Sequence, residues 1–382
     1  MLAALGLLGG VLLSWPLWNE AARELFPALP VWGEAVAPPS NWERAQPFSG
    51  WDSWVKAVGL IILLISTLIF TKRKPFLVLL NIWLLGLCAF DLNRLQPWVW
   101  FYLLVFSVIV FGKKENEKAK VNALRWLLAG VYFWSGFNKL TPYFAEDNFA
   151  WFCEAFDFTK PFSRFPALGY AVAFFEMSFA AGLLWEKTRP YFRWLVIGFH
   201  IVIIFFLIKL DWNRVVIPWN LAMAGMVWVL NPSLEKRKDN DAPFTTPLPP
   251  SGGEGMGVGL TWLAPILCSF NLWPYTLSWQ LYSNTQPEAT FYRENNPVFA
   301  TIEEEQIWGK YAFDDDSKLL LDDWATDELK VPAFAAKRTF YQMGKYLIKN
   351  CNDDKGVYIL TVNRWDKSAE KMEKIPCSEF KK

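Results

Sequence analysis

A lysine, a carboxylate and the chain's only histidine stand where long apolar runs leave few other polar groups. Lys139 closes the stretch Tyr132-Phe133-Trp134-Ser135-Gly136-Phe137-Asn138-Lys139-Leu140, with Ser135 four residues before it and on the same helix face. A lysine removed from water loses part of its preference for the ammonium form and becomes a usable base. The alternative is an interfacial lysine that reaches back to water. Glu176 and His200 sit near the middle of two further apolar runs. Helix rise puts His200 about 13–14 Å from Tyr191, and Glu176 about 15 Å from Pro166. Two antiparallel helices joined by a short loop then bring Glu176 and His200 together near mid-bilayer. They serve there either as a proton relay or as a static inter-helical hydrogen bond. A third run ends in Phe90-Asp91-Leu92-Asn93-Arg94, where Asp91 and Arg94 read as an ion pair, and a fourth opens with Pro218-Trp219-Asn220. Ionisable and amide groups at such depth are costly unless they pair or line a cavity. One shared polar pocket explains them together.

The elements that must position these groups are membrane spans. Of the 75 charged residues, 33 fall in the last 103 positions, so the first 279 residues hold only 42, mostly between apolar runs. Hydrophobic residues make up 53% of the chain, too much apolar surface for one soluble globule. A spanning helix needs about 20 mostly apolar residues to cross about 30 Å of hydrocarbon. Candidate spans are 2–18, 52–70, 75–90, 97–111, 121–138, 166–185, 191–208 and 215–230, with a weaker ninth at 260–279. The first is read as a retained helix, since no positive segment precedes it and no small-x-small site follows Trp18. Lys and Arg number 14 in one set of loops and nine in the other. This places the N-terminus in the cytoplasm of an inner-membrane protein and the polar groups from mid-membrane to the outer face.

The expected fold class is thus an all-α polytopic bundle of eight or nine helices with a small C-terminal α/β soluble domain. The expected divisions are a bundle over 1–230, a Pro/Gly-rich cytoplasmic linker over 231–259, a last spanning or interfacial helix over 260–279 and an extracytoplasmic domain over 280–382. In the tail, spacing predicts a helix over 331–350 and a strand over 356–365. Cys351 and Cys377 are its only cysteines and are disulfide candidates in an oxidising compartment. One histidine and no C-x-x-C pair exclude a multi-histidine metal or haem site, so neither metal nor haem is expected. A net charge of +1 gives no sign of nucleic-acid binding.

The element Tyr132–Leu140 resembles the aromatic-rich G-x-x-K-L pattern of the DoxX-like and HTTM (horizontally transferred transmembrane) proteins, a grouping that includes vitamin K-dependent γ-carboxylases. Asp91-Leu-Asn-Arg-Leu-Gln-Pro-Trp98, Phe199-His200 and Pro218-Trp219-Asn220 fall where that pattern has its other polar marks, and the resemblance runs over residues 50–285. It implies a quinone as cofactor and Lys139 as the base acting on its reduced form, with Glu176 and His200 handling protons. By the same resemblance, Asp91, Asn93, Arg94, Ser135, Asn138, Trp219 and Asn220 surround the quinone head. DoxX relatives are linked to quinone-coupled oxidation or thiol redox, and the thiol version lacks its paired cysteines here. Two other readings stand beside this one. One is a non-catalytic membrane partner whose C-terminal domain binds an envelope protein. The other is a small-molecule transporter, for which the prolines at 97 and 218 provide broken helices.

Overall fold

The computed structural model describes residues 1–38, 51–71, 73–112, 117–231, 255–292, 302–313, 318–347, 357–361 and 371–375. The apolar runs are helices: α1 (Leu2–Leu13), α2 (Trp51–Ile69), α3 (Lys74–Phe90), α4 (Pro97–Phe111), α5 (Glu117–Asn138), α6 (Pro166–Leu184), α7 (Arg189–Lys209), α8 (Ile217–Leu230) and α9 (Gly255–Cys268). Five of them open with proline in the first turn, at Pro75, Pro97, Pro166, Pro190 and Pro218. A missing N–H there removes a donor that has no intrahelical partner anyway.

By length and composition, three helices suffice to cross a membrane: 52–69, 166–184 and 189–209. Five more apolar helices among the described residues are shorter. Among the described residues the expected count of eight or nine spans is therefore not confirmed. Two expected spans are also cut short. The run over 2–18 stops at Leu13, and a one-turn helix, Trp15–Trp18, begins afresh at Ser14. Pro16 has no N–H with which to continue α1. The run over 260–279 is helical only to Cys268. Asn271 takes a positive φ, and the chain passes through Pro274 into a 3₁₀ turn at Tyr275–Ser278. Within the expected linker, Gly255–Gly259 already belong to α9, while 232–254 lie outside the described residues.

The chain forms two compact units whose limits cut across sequence order. One comprises Met1–Gly10, Leu63–Ile82 and Pro97–Asn284, and the other Val11–Ile62, Trp83–Gln96 and Thr285–Lys382. In the first unit α5 packs most extensively on α6. Gly136 permits the approach, because a Cβ there would lie 2.4 Å from the Met177 backbone nitrogen and 2.6 Å from the Ala173 carbonyl oxygen. Helix α8 packs on α7, and α9 on α5. Asp211 and Asn213, both at positive φ, turn the chain between α7 and α8, a conformation that Asn and Asp tolerate better than most residues.

The second unit carries a four-stranded antiparallel sheet in the order β2-β1-β3-β4, with β1 at Glu288–Tyr292, β2 at Lys318–Leu320, β3 at Val357–Thr361 and β4 at Lys371–Ile375. Residues Ala289 and Phe291 of β1 are buried, the period-two pattern of a strand with one covered face. Helices α10 (Ile302–Tyr311), α11 (Leu321–Leu329) and α12 (Lys337–Leu347) complete the unit. The tail is thus mixed α/β; the expected helix begins at Lys337 rather than at 331, the expected strand is present over Val357–Thr361, and 348–350, 356 and 362–365 lie outside the described residues.

What holds this unit together begins far upstream of the tail. The Glu328 carboxylate accepts the backbone N–H groups of Glu24, Leu25 and Phe26 at 2.8–2.9 Å, along with the Trp324 Nε1–H and the Tyr311 hydroxyl. The Asn93 side-chain oxygen accepts the Phe334 N–H, and Gln96 donates to the Pro332 carbonyl. Burial opposes ionisation of Glu20, but Arg94, Lys56 and Arg23 outweigh it and hold the carboxyl at about 2. Cys351 and Cys377 lie outside the described residues, and the disulfide expectation with them.

Candidate functional site

Lys139 sits one residue beyond the last turn of α5, a helix whose face carries Tyr132, Ser135 and Lys139 at spacings of three and seven. The residue is 7% exposed, so all three hydrogens of its ammonium need acceptors. They find the Ser135 carbonyl at 3.3 Å, Ser135 Oγ at 2.8 Å and Glu176 Oε2 at 2.8 Å. Glu176 comes from α6, brought within reach by the close contact at Gly136. The Phe144 ring centroid lies 5.9 Å from Nζ, a cation–π distance.

His200 of α7 does not bond to Glu176. Its Nε2 lies 2.8 Å from the Tyr132 hydroxyl and its Nδ1 2.7 Å from Asn220 Oδ1. The expected Glu176–His200 meeting is thus replaced by two separate units, Ser135–Lys139–Glu176 and Tyr132–His200–Asn220. A buried carboxylate gains more from a full positive charge than from a neutral imidazole, and Lys139 is near enough to supply it.

Both units open on one cavity of about 690 Å³, in the size range of small-molecule sites. Its walls are apolar over most of their area. Helix α6 supplies Leu168, Ala171, Val172 and Phe175, and α7 supplies Phe199, Val202, Ile203 and Phe206. Segment 143–165 adds Phe144, Phe149, Phe152, Cys153, Thr159 and Phe162, while α8 adds Trp219, Asn220 and Met223. Tyr282 and Leu281 complete the lining. Of the expected site residues, Lys139, Glu176, His200, Ser135, Trp219 and Asn220 face this cavity. Asn138 is not among its lining residues, and it donates to the Ser278 carbonyl at 2.7 Å.

Asp91, Asn93 and Arg94 are not among the residues lining the cavity and belong to the second unit. The expected Asp91–Arg94 pair is not formed. Asp91 binds Arg23 at 2.5 Å and accepts the Leu29 and Asn93 N–H groups. Arg94 binds Glu20 at 2.7 Å and donates to the Leu17 and Leu87 carbonyls. Asp91 caps the turn Leu92–Arg94, which aims its side chain away from Arg94. Through these partners the three residues join segment 17–29 to segment 87–94 within the second unit.

Tyr132 is the site residue that sequence reasoning passed over, although it stood in the quoted motif. The signal was its spacing of seven from Lys139, which places both on one face of α5. Among the described residues, no group of three or more His, Cys, Asp or Glu side chains could hold a metal.

Residues 117–217, about a quarter of the chain, match a family described as methylamine utilisation protein MauE. This stretch contains α5, α6, α7 and the residues Lys139, Glu176 and His200. The match supports a membrane protein, and neither a DoxX nor an HTTM family matches. No curated protein and no solved structure matches the chain.

Proposed function

We propose that the protein is a membrane protein of the methylamine-utilisation type that binds an amphiphile of the isoprenoid-quinone class in its cavity and handles protons there. The family match supports the coarse reading. One observation carries the finer reading: the polar groups Tyr132, Ser135, Lys139, Glu176, His200 and Asn220 share an otherwise apolar cavity with room for a ring and part of a tail. This lining fits a ligand with a large apolar body and a few polar atoms. When bound, a quinone supplies two-electron, two-proton redox chemistry.

The chain's own part is acid–base work. Lys139 Nζ has placed its hydrogens on Ser135 and Glu176. Moving one proton from Nζ to Glu176 Oε2 leaves a neutral amine and a neutral acid. The amine lone pair is then a base at the cavity wall. The Phe and Leu side chains around it exclude water and keep the proton from leaking.

The basic-residue bias between loops supports a cytoplasmic N-terminus, with the tail and the cavity on the opposite side. A second reading has one observation in its favour. Ser135 and Glu176 already satisfy Lys139, as they would in a bundle whose polar groups only hold helices together while the tail binds an envelope partner. Equilibrium binding of a decyl-tailed benzoquinone to the full chain in nanodiscs separates the two. Saturable binding that disappears in Ala171→Trp supports the ligand site. Absence of saturable binding refutes it and leaves the scaffold reading.

A further inference from the structure

The second polar unit has a fixed direction. Asn220 Nδ2 donates to the Val216 carbonyl at 2.9 Å, one turn back along α8. Reversing the amide would set two oxygens against each other, so Oδ1 must face His200. An oxygen at 2.7 Å from Nδ1 requires that Nδ1 carry the hydrogen. Neutral imidazole then has its lone pair on Nε2, and the Tyr132 hydroxyl 2.8 Å away must be the donor. Tyr132 has therefore committed its only hydrogen to His200. Its oxygen keeps lone pairs, and the residue lines the cavity.

We infer that Tyr132 is a proton acceptor for the ligand, backed by His200 as the final base and by Asn220 as the positioning residue that fixes the histidine tautomer. This rests on the reading of the cavity as a ligand site. The ligand class it selects is one with an acidic hydroxyl, a phenol or an enol. The step balances in protons and charge. The ligand O–H bond breaks and its proton bonds to the Tyr132 oxygen, while the Tyr132 hydrogen moves to His200 Nε2. The products are a ligand oxyanion, a neutral tyrosine and an imidazolium whose Nδ1–H still donates to Asn220. No electrons change hands. The other titratable groups in the cavity walls are Lys139, Glu176, Cys153 and Tyr282. Of these, Lys139 and Glu176 are paired with each other, and Lys139 stands seven residues after Tyr132 on the same face of α5.

The chain has one histidine, so nitrogen-15 histidine spectra need no assignment. The probe is 4-nitrophenol carrying a decyl chain, whose colour reports its proton. Three results are expected from the full chain in nanodiscs. The free protein shows the hydrogen on Nδ1 and the lone pair on Nε2. Saturating probe converts His200 to the doubly protonated form, and the bound probe is phenolate below its own solution pKa. Tyr132→Phe and His200→Gln each lower the bound phenolate-to-phenol ratio by about tenfold, equivalent to one pKa unit, and the double variant lowers it no further. Binding with an unchanged neutral histidine, or an Nε2–H tautomer in the free protein, overturns the inference while leaving the ligand site standing. No saturable binding overturns the ligand site and, with it, this role for Tyr132.

Discussion

Replacing Lys139 by methionine removes the cation from a pair whose side chains are 8% and 7% exposed and whose atoms are 2.8 Å apart. Glu176 is then a buried carboxylate without a charged partner, and Ser135 Oγ loses a donor. Breaking a buried pair in this way costs about 3–5 kcal/mol. Removing both charges behaves differently, because Lys139→Met with Glu176→Leu leaves an apolar contact in place of two desolvated ions. That double variant is expected to fall within about 1 kcal/mol of wild type. Glu176→Leu alone strands the ammonium at a similar cost, so the thermodynamic cycle carries a coupling of about 5 kcal/mol or more, well above the roughly 0.5 kcal/mol at which independent sites add. The assay is denaturation of the purified full chain by sodium dodecyl sulfate in mixed micelles, followed by helix circular dichroism. Additive single and double variants would refute the argument, because they would show that the two side chains do not share a desolvated site.

Gly136→Ala is expected to separate α5 from α6, since its Cβ would fall about 1 Å short of the 3.4 Å of ordinary contact with the Met177 nitrogen. The expected loss is about 1–3 kcal/mol in the same assay, with quinone-probe binding weakened as well. Glu328→Ala strands three backbone N–H groups at residues 24–26, so hydrogen exchange there should rise markedly while exchange in α6 stays unchanged. Asp322, pushed up to about 7 by burial and the Glu288 carboxylate, keeps its proton in the folded tail long after the unfolded chain has released it. Between about pH 4, the ordinary carboxylate range, and pH 7 the folded state binds more protons, so stability falls as pH rises and levels off above that window. Asp322→Asn should remove this slope, as read by hydrogen exchange of α11 corrected for its intrinsic pH dependence.

Much of the bundle was legible because the signals are local. Apolar runs, first-turn prolines and helical spacing place α4 to α8 within a few residues of where they lie. The same period puts Tyr132, Ser135 and Lys139 on one face. The tail's charge and its β-branched strand were equally local and gave a mixed α/β unit. Where helices stop was harder to read. Hydropathy runs on through Ser14 and Ser269, while Pro16 and the positive φ at Asn271 end the hydrogen-bond ladder there.

The sequence alone determined which segments are apolar helices, which polar groups share a helix face, and that the last hundred residues form something different. It did not determine which charge meets which. Asp91 stands three residues from Arg94 and yet binds Arg23, 68 positions away. Glu176 binds Lys139, and His200 is left to Tyr132 and Asn220. Residues 11–62 and 83–96, which read as part of the bundle, belong with the tail, whose Glu328 takes the amides of 24–26 and whose Phe334 N–H goes to Asn93. Helical period fixes a side chain's face but not the neighbour that face meets. That depends on how close two backbones come, as at Gly136, and on which buried donors remain unsatisfied once they are there.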